Sequence, residues 1–243
     1  MEQFARTEML VGTEGMERLR RARVAVFGLG GVGGYVAEAL ARSGIGALEL
    51  FDSDQVALTN LNRQIIALHS TIGQYKADAA AARLRDINPE AEIVPHRMFY
   101  LPEQAEEVDL SAFDYIADAV DTVAAKLELA RRAYALQVPI ISALGAGNRT
   151  DPTQLRVGDI FETQSCPLAR VMRKELRKRG VPALQVVYST EPALKPLRDA
   201  SHEEEARTFG VPRRDTPGSM AFVPPVMGMI MASVIVRHLL AQE

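Results

Sequence analysis

The chain has 243 residues, of which 47% are hydrophobic and 24% are charged, as in an ordinary globular protein. Its formal net charge of −3 excludes an overall positive field, so any contact with RNA must come from a local basic patch. The single cysteine, Cys166, excludes an intrachain disulfide framework and a four-thiolate zinc site. Because the amino terminus is charged and lacks the apolar run of a signal peptide, we expect a reducing, cytoplasmic location.

The first half of the chain alternates between predicted strands and predicted helices. Short apolar runs, typical of buried strands, are separated by segments in which apolar residues recur with helical spacing. This alternation predicts a Rossmann-like α/β fold, with a doubly wound, mostly parallel sheet and helices on both faces. The predicted strands are 23–28, 48–52, 92–96, 115–120 and 138–143, and the predicted helices are 30–42, 76–88 and 124–137.

The second half of the chain has a looser pattern. Residues 166–179 show helical spacing, and residues 189–218, which are rich in Pro, Glu, Arg and Asp, are predicted to form a long mobile crossover. The uncharged stretch 219–236 has about the 18 residues that suggest a transmembrane helix. Pro224 and Pro225 interrupt it, however, so we predict an extended segment followed by a buried helix at 226–240, and no membrane span.

A glycine-rich loop follows the first predicted strand. Gly28-Leu29-Gly30-Gly31-Val32-Gly33 matches the pattern G-x-G-x-x-G and opens a predicted helix. Such glycines permit a tight turn and a close approach of backbone to phosphate at a helix N-terminus. Asp52 ends the next predicted strand, about 20 residues after the glycines, which is where an acidic side chain binds a ribose hydroxyl in proteins with this motif. The loop predicts nucleotide binding without separating a dinucleotide from ATP, and a glycine turn that serves only packing is the alternative.

Charged and amide side chains after the second strand favour ATP over a nicotinamide cofactor. An enzyme that transfers a nucleotidyl group must stabilise negative charge on departing pyrophosphate, and a planar arginine with a lysine supplies that stabilisation. Asp121 follows the fourth strand at the edge where a carboxylate can hold Mg²⁺ on phosphates. The candidates after the second strand are Asp52, Asp54, Asn60, Arg63, Gln64 and Lys76.

Each of these side chains also has an ordinary structural role. Asp52 could cap the following turn, and Asp121 could be the N-cap of the helix at 124–137. Asn60 could form a turn, while Arg63 and Lys76 could be solvated surface charges. The residues alone leave these alternatives open.

Five motifs, in this order and spacing, resemble the adenylation domain of the ubiquitin-activating-enzyme-like (ThiF/MoeB/HesA) superfamily. They are GLGGVG, Asp52-Ser53-Asp54, TNLNRQ, the segment at Lys76, and DAVDT. The resemblance covers the whole chain and implies one adenylation domain at 1–243, with a nucleotide-binding core at 1–147 and a substrate and dimer elaboration at 148–243. It also implies ATP and Mg²⁺ as cofactors, with a monovalent cation, Na⁺ or K⁺, near the active site.

The resemblance implies a role for each matched residue. Asp52 would hold the ribose, Arg63 would lie toward the γ-phosphate, Lys76 would neutralise the α- and β-phosphates, and Asp121 would bind Mg²⁺. Arg6 matches an arginine that in relatives reaches the ATP of a partner subunit, which implies a homodimer. The full set implied to bind nucleotide is Gly28, Gly30, Gly31, Gly33, Asp52, Asp54, Asn60, Arg63, Gln64, Lys76 and Asp121.

Further segments resemble the bacterial branch of this superfamily that modifies tRNA. They are RTEMLVG, ARSGIGALEL, ISALGAGNRTDP, CPLARVMRKELRKRG and GSMAFVPPVMG. This resemblance implies ATP-dependent dehydration of threonylcarbamoyladenosine through an acyl-adenylate, closed by an atom of the same modification. Since cyclisation is intramolecular, no protein thiol is required.

A tRNA substrate needs a cationic surface, and the segment 169–179 supplies one. On a helix, five basic residues would share one face while Leu168, Met172 and Leu176 face the protein. The five candidates for RNA binding are Arg170, Arg173, Lys174, Arg177 and Lys178. The alternative is a solvated basic helix in which Glu175 pairs locally.

Two other functions remain open at this point. An enzyme that adenylates the C-terminal glycine of a ubiquitin-like sulfur carrier is one, although the absence of paired zinc cysteines and the basic segment argue against it. An NAD-binding oxidoreductase or a nucleotide sensor is the other, and Arg63 with Lys76 argues against it. A sulfur-relay protein is a further candidate partner, and Cys166 is either a structural residue or a thiol activated at a helix start.

Overall fold

One sheet of seven strands organises the described part of the chain. The structure is a computed structural model that describes residues 2–163, 166–197 and 217–241. The strands are β1 (Arg23–Phe27), β2 (Ala47–Phe51), β3 (Glu92–His96), β4 (Tyr115–Asp118), β5 (Ile140–Ala143), β6 (Leu155–Asp159) and β7 (Gln185–Ser189). Their order across the sheet is β3-β2-β1-β4-β5-β7-β6. All neighbours run parallel except β6, which pairs antiparallel with β7 at the edge.

Six α-helices of the described residues cover the two faces of this sheet. They are α1 (Ala5–Arg21), α2 (Gly33–Arg42), α3 (Lys76–Ile87), α4 (Val123–Leu136), α5 (Pro167–Lys178) and α6 (Val223–Ala241). α1 is broken at Gly12, whose φ of 70° is unfavourable for other residues. The break redirects the exposed first half of α1, which carries Arg6, away from the second half.

Alternation along β1 divides the core between the two faces. Val24 and Val26 pack with α1, α2, α3 and α6, whereas Ala25 and Phe27 pack with α4 on the other face. A third apolar cluster joins α4, α5 and β7. A strand buried on both faces needs an unbroken apolar run, which is what residues 24–27 provide.

The predicted α/β fold is confirmed, with differences in the second half. The five predicted strands and the helices of the first half are present, with boundaries shifted by up to three residues. The sequence pattern missed α1, β6 and β7. Residues 190–197 form neither helix nor strand, and most of the predicted crossover, residues 198–216, lies outside the described residues.

The expectation that Pro224 and Pro225 precede the last helix is wrong. α6 begins at Val223 and includes both prolines in its first turn. Backbone N–H groups in that turn have no carbonyl partner within the helix, so their absence from proline costs no hydrogen bond. α6 is the one helix of the described residues long and apolar enough to cross a membrane, yet 56% of its apolar window is buried inside the protein. It therefore occupies the position of a core helix, as predicted.

α6 meets α2 at a glycine, and this contact generates a prediction. A Cβ built on Gly228 would lie 2.5 Å from the carbonyl oxygen of Val32 and 3.0 Å from the Cβ of Tyr35. Since backbone must move to relieve this overlap, we expect Gly228→Ala to destabilise the fold by about 1–3 kcal/mol. Ser233→Ala, at an exposed position of α6, is the control, and chemical denaturation of both variants measures the difference. Equal midpoints for the two variants would contradict the close contact.

Candidate active site

The glycine loop is built from backbone contacts that no side chain could allow. Gly28 has a φ of 84°, and a Cβ built on it would lie 2.7 Å from the carbonyl oxygen of Ala119. A Cβ on Gly33 would lie 1.8 Å from the carbonyl oxygen of Gly28. By contrast, a Cβ on Gly30 would meet only Nε2 of Gln64, at 4.0 Å. The loop therefore packs tightly on one side and leaves open space at Gly30, directly before the N-terminus of α2.

Asp52 joins this loop to the end of β2. Its Oδ2 accepts a hydrogen bond of 2.7 Å from the backbone N–H of Leu29, and its Oδ1 accepts one of 2.8 Å from Asp54. Burial raises the pKa of Asp52 above its ordinary value, although the charge of Lys76 and these two hydrogen bonds act in the opposite direction. The turn-capping alternative for Asp52 is thus confirmed, and its contact with ribose stays a prediction.

Lys76 begins α3 and is buried, so the surface alternative is wrong for this residue. Its side chain is 7% exposed, and Nζ lies 2.7 Å from Oδ2 of the exposed Asp54. The backbone N–H of Lys76 also donates to the carbonyl oxygen of Asp54 at 2.9 Å. These contacts hold a lysine ammonium below the segment between β2 and α3, with Asp54 as its only carboxylate partner among the described residues.

Arg63 carries a charge that no carboxylate of the described residues neutralises. Its Nη1 donates to the carbonyl oxygen of Thr59 at 3.1 Å and to Oδ1 of Asn62 at 2.9 Å. Burial lowers the pKa of Arg63. The stem of the side chain passes the glycine loop, since a Cβ on Gly31 would lie 3.2 Å from Cγ of Arg63. A half-buried arginine therefore borders the loop with donors left for an anion.

Gln64 and Asn60, from the same turn, differ in their roles. Gln64 is 5% exposed, and its Oε1 is buried without a hydrogen-bond partner. Oδ1 of Asn60 accepts a hydrogen bond of 3.0 Å from the backbone N–H of Ala57, which confirms the turn-forming alternative for Asn60. The atom of Gln64 that borders the open space at Gly30 is Nε2, an amide donor that suits a ligand oxygen at the loop.

Asp121 lies in the segment between β4 and α4, which packs under Gly28. It is exposed, and its one hydrogen bond is accepted from Oγ1 of Thr122 at 3.3 Å. Because Thr122 is the N-cap residue of α4, the N-cap alternative for Asp121 is wrong. The described residues contain no group of three acidic, histidine or cysteine side chains that could hold a metal alone. A divalent cation at Asp121 would therefore need phosphate oxygens as further ligands.

A buried ion pair beneath this segment was missed by the sequence analysis. Asp118, at the end of β4, is fully buried, and both of its oxygens lie 3.1 Å from Nζ of Lys126, which is 1% exposed. Asp118 also accepts from the backbone N–H of Val120. The pair ties the first turns of α4 to β4, across the segment that carries Asp121. A lysine among the apolar residues that follow DAVDT was the available signal.

The basic helix α5 presents fewer free charges than predicted. Arg170, Lys174, Arg177 and Lys178 are exposed, and Met172 and Leu176 face the core as expected. Arg173 departs from this set. It is half-buried and donates from Nη1 to the carbonyl oxygen and the hydroxyl of Thr163, because its long side chain folds back over the preceding turn.

Local pairing also occupies the C-terminal end of α5. Lys178 and Arg179 both pair with Glu175, at 2.7 and 2.8 Å, and Arg177 stacks over the ring of Phe161. The alternative interpretation, in which Glu175 pairs with basic residues of its own helix, is therefore confirmed for Lys178 and Arg179. Arg170, in the first turn, and Lys174, one turn further along, remain as exposed cations.

An open depression of about 850 Å³ lies elsewhere, between the end of α4 and the start of β7. Its lining includes Tyr134, Val138, Pro139 and Leu184, at the amino edge of the sheet. In parallel α/β sheets the ligand lies at the carboxyl edge, where the glycine loop is found. We therefore assign the candidate site to the glycine loop.

Fold and site together define a nucleotide-binding α/β protein with cations placed for phosphate groups. A family model described as the ThiF family matches residues 4–243, and the chain belongs to this family. The tRNA threonylcarbamoyladenosine dehydratase of Bacillus subtilis (strain 168) is 43% identical over 244 residues, which cover 99% of this chain and 95% of that protein.

Solved structures agree with this assignment. The structure of Escherichia coli tRNA N6-threonylcarbamoyladenosine dehydratase in complex with AMP has a TM-score of 0.87 and 32% identity, covering 99% of this chain and 94% of that chain. Its complex with ATP has a TM-score of 0.85. By comparison, the adenylyltransferase and sulfurtransferase uba4 of Aspergillus terreus is 37% identical over 133 residues, only 55% of this chain and 27% of that protein.

The buried pair of Asp118 and Lys126 generates a second prediction. Lys126→Met leaves an unpaired carboxylate in the core, which we expect to cost about 3–5 kcal/mol of unfolding free energy. The double variant Asp118→Asn/Lys126→Met removes both charges and should recover most of that loss. Denaturation of both single variants and the double variant measures the coupling, and additive losses would contradict the pair.

Proposed function

We propose that this protein uses ATP to dehydrate threonylcarbamoyladenosine in tRNA. The observation that carries the proposal is the glycine loop with two cations beside it, Arg63 and Lys76, in a chain that matches a dehydratase over nearly its full length. The complexes of the E. coli relative with ATP and AMP support ATP as the co-substrate. Open space at Gly30, bordered by the amide donor Nε2 of Gln64, supports room for such a molecule at the loop.

The residues around the loop have distinct tasks in this proposal. The backbone of Gly28, Gly30, Gly31 and Gly33 lies against the phosphates, and Asp52, which already fixes the loop, is placed at its edge for the ribose. Arg63 and Lys76 stabilise the charge that develops on the departing pyrophosphate. Lys76 is paired with the exposed Asp54 in this structure, so a nucleotide that binds Lys76 would compete with that carboxylate.

The chemistry proceeds in two steps. The threonyl carboxylate attacks the α-phosphorus of ATP, so that an acyl-adenylate forms and pyrophosphate leaves. An atom of the same modification then attacks the acyl carbon, which closes a ring and releases AMP. Because the second nucleophile is tethered to the acyl group, the protein needs only to hold the geometry.

Asp121 is our candidate for holding Mg²⁺ on the phosphates. Its exposed carboxylate, without a cationic partner among the described residues, supports this assignment. A monovalent cation, Na⁺ or K⁺, near the site is part of the proposal through the family resemblance alone. No residue is assigned to it.

Recognition of tRNA is assigned to α5, chiefly through Arg170 and Lys174. Their exposure, and the lack of a carboxylate partner for either among the described residues, support contact with phosphates. Arg177 and Lys178 are also exposed but are engaged locally, and Arg173 acts in holding the helix in place. The tRNA-modifying relatives support a cytoplasmic location.

A homodimer is proposed as the active unit. Met9 and Leu10 are 83% and 87% exposed on the redirected first half of α1, next to Arg6, and Met229 is 43% exposed on α6. Such apolar surface favours a partner, and a second copy would bring Arg6 to the neighbouring site. A sulfur-relay protein stays a candidate partner, although Cys166 is buried and so is poorly placed for thiol exchange. The division at residues 147 and 148 also stays a prediction.

The alternative, adenylation of the C-terminal glycine of a ubiquitin-like sulfur carrier, has weaker support. The match to the uba4 relative covers 55% of this chain, whereas the match to the Bacillus subtilis dehydratase covers 99% of it. The described residues also contain one cysteine, Cys166, and it is buried.

AMP release tests the proposed reaction. With ATP and Mg²⁺, we expect tRNA carrying threonylcarbamoyladenosine to stimulate AMP formation, and Arg63→Ala to lower kcat about 10²–10³-fold, as for loss of one donor that stabilises developing charge. Arg21→Ala, an exposed arginine at the far end of α1, is the control. Equal AMP release with unmodified tRNA would refute the substrate, and stimulation by a sulfur carrier instead would establish the alternative.

Salt dependence tests the role of α5. Arg170→Gln/Lys174→Gln should weaken binding of modified and unmodified tRNA alike and lower the slope of log Kd against log salt by about 2. Arg179→Gln is the matched control, because Arg179 lies at the end of the same helix but is paired with Glu175. An unchanged slope in the double variant would exclude α5 from the RNA interface.

A further inference from the structure

A buried arginine, with no ion pair among the described residues, lies in the loop after β5. Arg149 is 4% exposed, and its Nε is buried without a hydrogen-bond partner. Within the described part of the chain its one hydrogen bond runs from Nη1 to the carbonyl oxygen of Asn148 at 3.4 Å, which is long for a bond of this kind. Burying an uncompensated charge costs several kcal/mol. The anomaly therefore needs an explanation.

The nearest candidate for a counter-charge, Glu191, is already occupied. Its carboxylate accepts hydrogen bonds from the N–H and hydroxyl of Thr150 and from the N–H of Asp151, all at 3.0–3.1 Å. Although burial acts to raise the pKa of Glu191, these bonds hold it below its ordinary value, and the charge of Arg149 adds to the effect. The two side chains feel each other's charge but form no ion pair. The donors of Arg149 thus remain unmatched.

The loop that carries Arg149 is held rigidly from two sides. The backbone carbonyl of Asn148 accepts from the N–H of Leu194 at 2.9 Å, and its N–H and Oδ1 bind the backbone of Gly218 at 2.8 and 2.7 Å. A Cβ on Gly147 would lie 2.7 Å from Cβ of Pro217. These contacts fix the backbone next to Arg149, and the low exposure of its side chain limits the positions that the guanidinium can take.

The loop after β5, which carries Arg149, lies on the same edge of the sheet as the glycine loop. β4 separates β5 from β1, so the loop begins roughly 10 Å from the glycine loop, two strand spacings along the carboxyl edge. The segment of Asp121 lies between them. The loop also adjoins the turn that carries Arg63, because Gly218 binds Asn148 and the carbonyl oxygen of the neighbouring Ser219 accepts from Nδ2 of Asn62 at 3.0 Å.

We propose that Arg149 binds the threonyl carboxylate of the modified adenosine, the group that the enzyme adenylates. This inference rests on the proposed function and adds a specificity-determining residue to it. A planar guanidinium suits a carboxylate, which can accept two parallel hydrogen bonds. A small substituent can reach a guanidinium that is 4% exposed, whereas phosphates of a folded RNA are better met by exposed cations such as Arg170 and Lys174.

Binding of tRNA with and without the modification, measured in the absence of ATP, tests the proposal. We expect the unaltered protein to bind tRNA carrying threonylcarbamoyladenosine about 10–100-fold more tightly than tRNA with an unmodified adenosine, the range for hydrogen bonds to a charged group. Arg149→Gln should bind both at the weaker affinity, and Arg149→Lys should keep part of the preference. Arg156→Gln is the matched control, since Arg156 is exposed and bonds only to backbone carbonyls.

Each other outcome overturns the assignment in a distinct way. No preference in the unaltered protein, or a preference retained in Arg149→Gln, would show that Arg149 does not read the carboxylate. Equal weakening of both tRNAs, with a smaller salt slope, would assign Arg149 to an RNA phosphate. AMP release separates this proposal from the proposed function. Preferential binding without AMP release would refute the proposed reaction and leave the role of Arg149 standing. AMP release with a retained preference in Arg149→Gln would refute the role of Arg149 and leave the reaction standing.

Thermal unfolding separates a ligand site from a structural arginine. If Arg149 is a binding residue, its charge is unpaired in the free protein and Arg149→Met removes that charge. We then expect the unfolding midpoint of the free protein to rise by about 2–4 °C. If Arg149 instead stabilises the loop through Glu191, the midpoint should fall. A fall of several degrees, with the preference for modified tRNA intact, would overturn the proposal.

Discussion

The site depends on the absence of side chains at three points where backbone meets backbone. Gly28 lies against the carbonyl of Ala119, Gly33 against the carbonyl of Gly28, and Gly228 against the carbonyl of Val32. Through these contacts β1, the segment after β4, α2 and α6 converge on one short loop. Any Cβ at these positions would separate the elements and change the shape of the candidate site. The glycines therefore serve packing in this structure, and because packing also shapes the proposed nucleotide site, the two interpretations of the motif are not exclusive.

Four cations near the carboxyl edge of the sheet differ in how they are paired. Lys126 is fully paired with a carboxylate inside the protein and acts to fix a segment. Arg63 and Arg149 lack ion pairs in the described residues and lie at the carboxyl edge of the sheet. Lys76 lies between these groups, since its one partner, Asp54, is exposed. An unpaired cation in a partly buried place is costly, and an anionic substrate removes that cost. The distribution of pairing thus separates a cation with a structural role from those that we propose to bind a ligand.

Much of this could be predicted from the sequence. Buried parallel strands have apolar runs, and a glycine loop has a fixed place after the first of them, so the five strands and the nucleotide site followed from local patterns. β6 and β7 did not, because an edge hairpin of short strands gives a weak periodic signal. The pairing of side chains could not be predicted either, since Asp118 meets Lys126, and Arg173 meets Thr163, only once the elements have packed. The start of α6 was misplaced because prolines were treated as breakers, although the first turn of a helix tolerates them.

The unpaired cations also bear on how binding and stability are linked. A ligand that binds only the folded state stabilises it by RT ln(1 + [L]/Kd), so a site that is strained when empty becomes a source of stability when it is filled. In this chain the cations that lack partners belong to different elements, Arg63 to the turn after β2 and Arg149 to the loop after β5. In the proposed function a nucleoside triphosphate would engage the first and a carboxylate the second, on the two sides of the segment that carries Asp121. Each ligand would lower the electrostatic cost of the other's unpaired cation by adding negative charge to the same edge of the sheet. Their mutual repulsion acts in the opposite direction, so the coupling between the two ligands is expected to depend on the difference between these two effects.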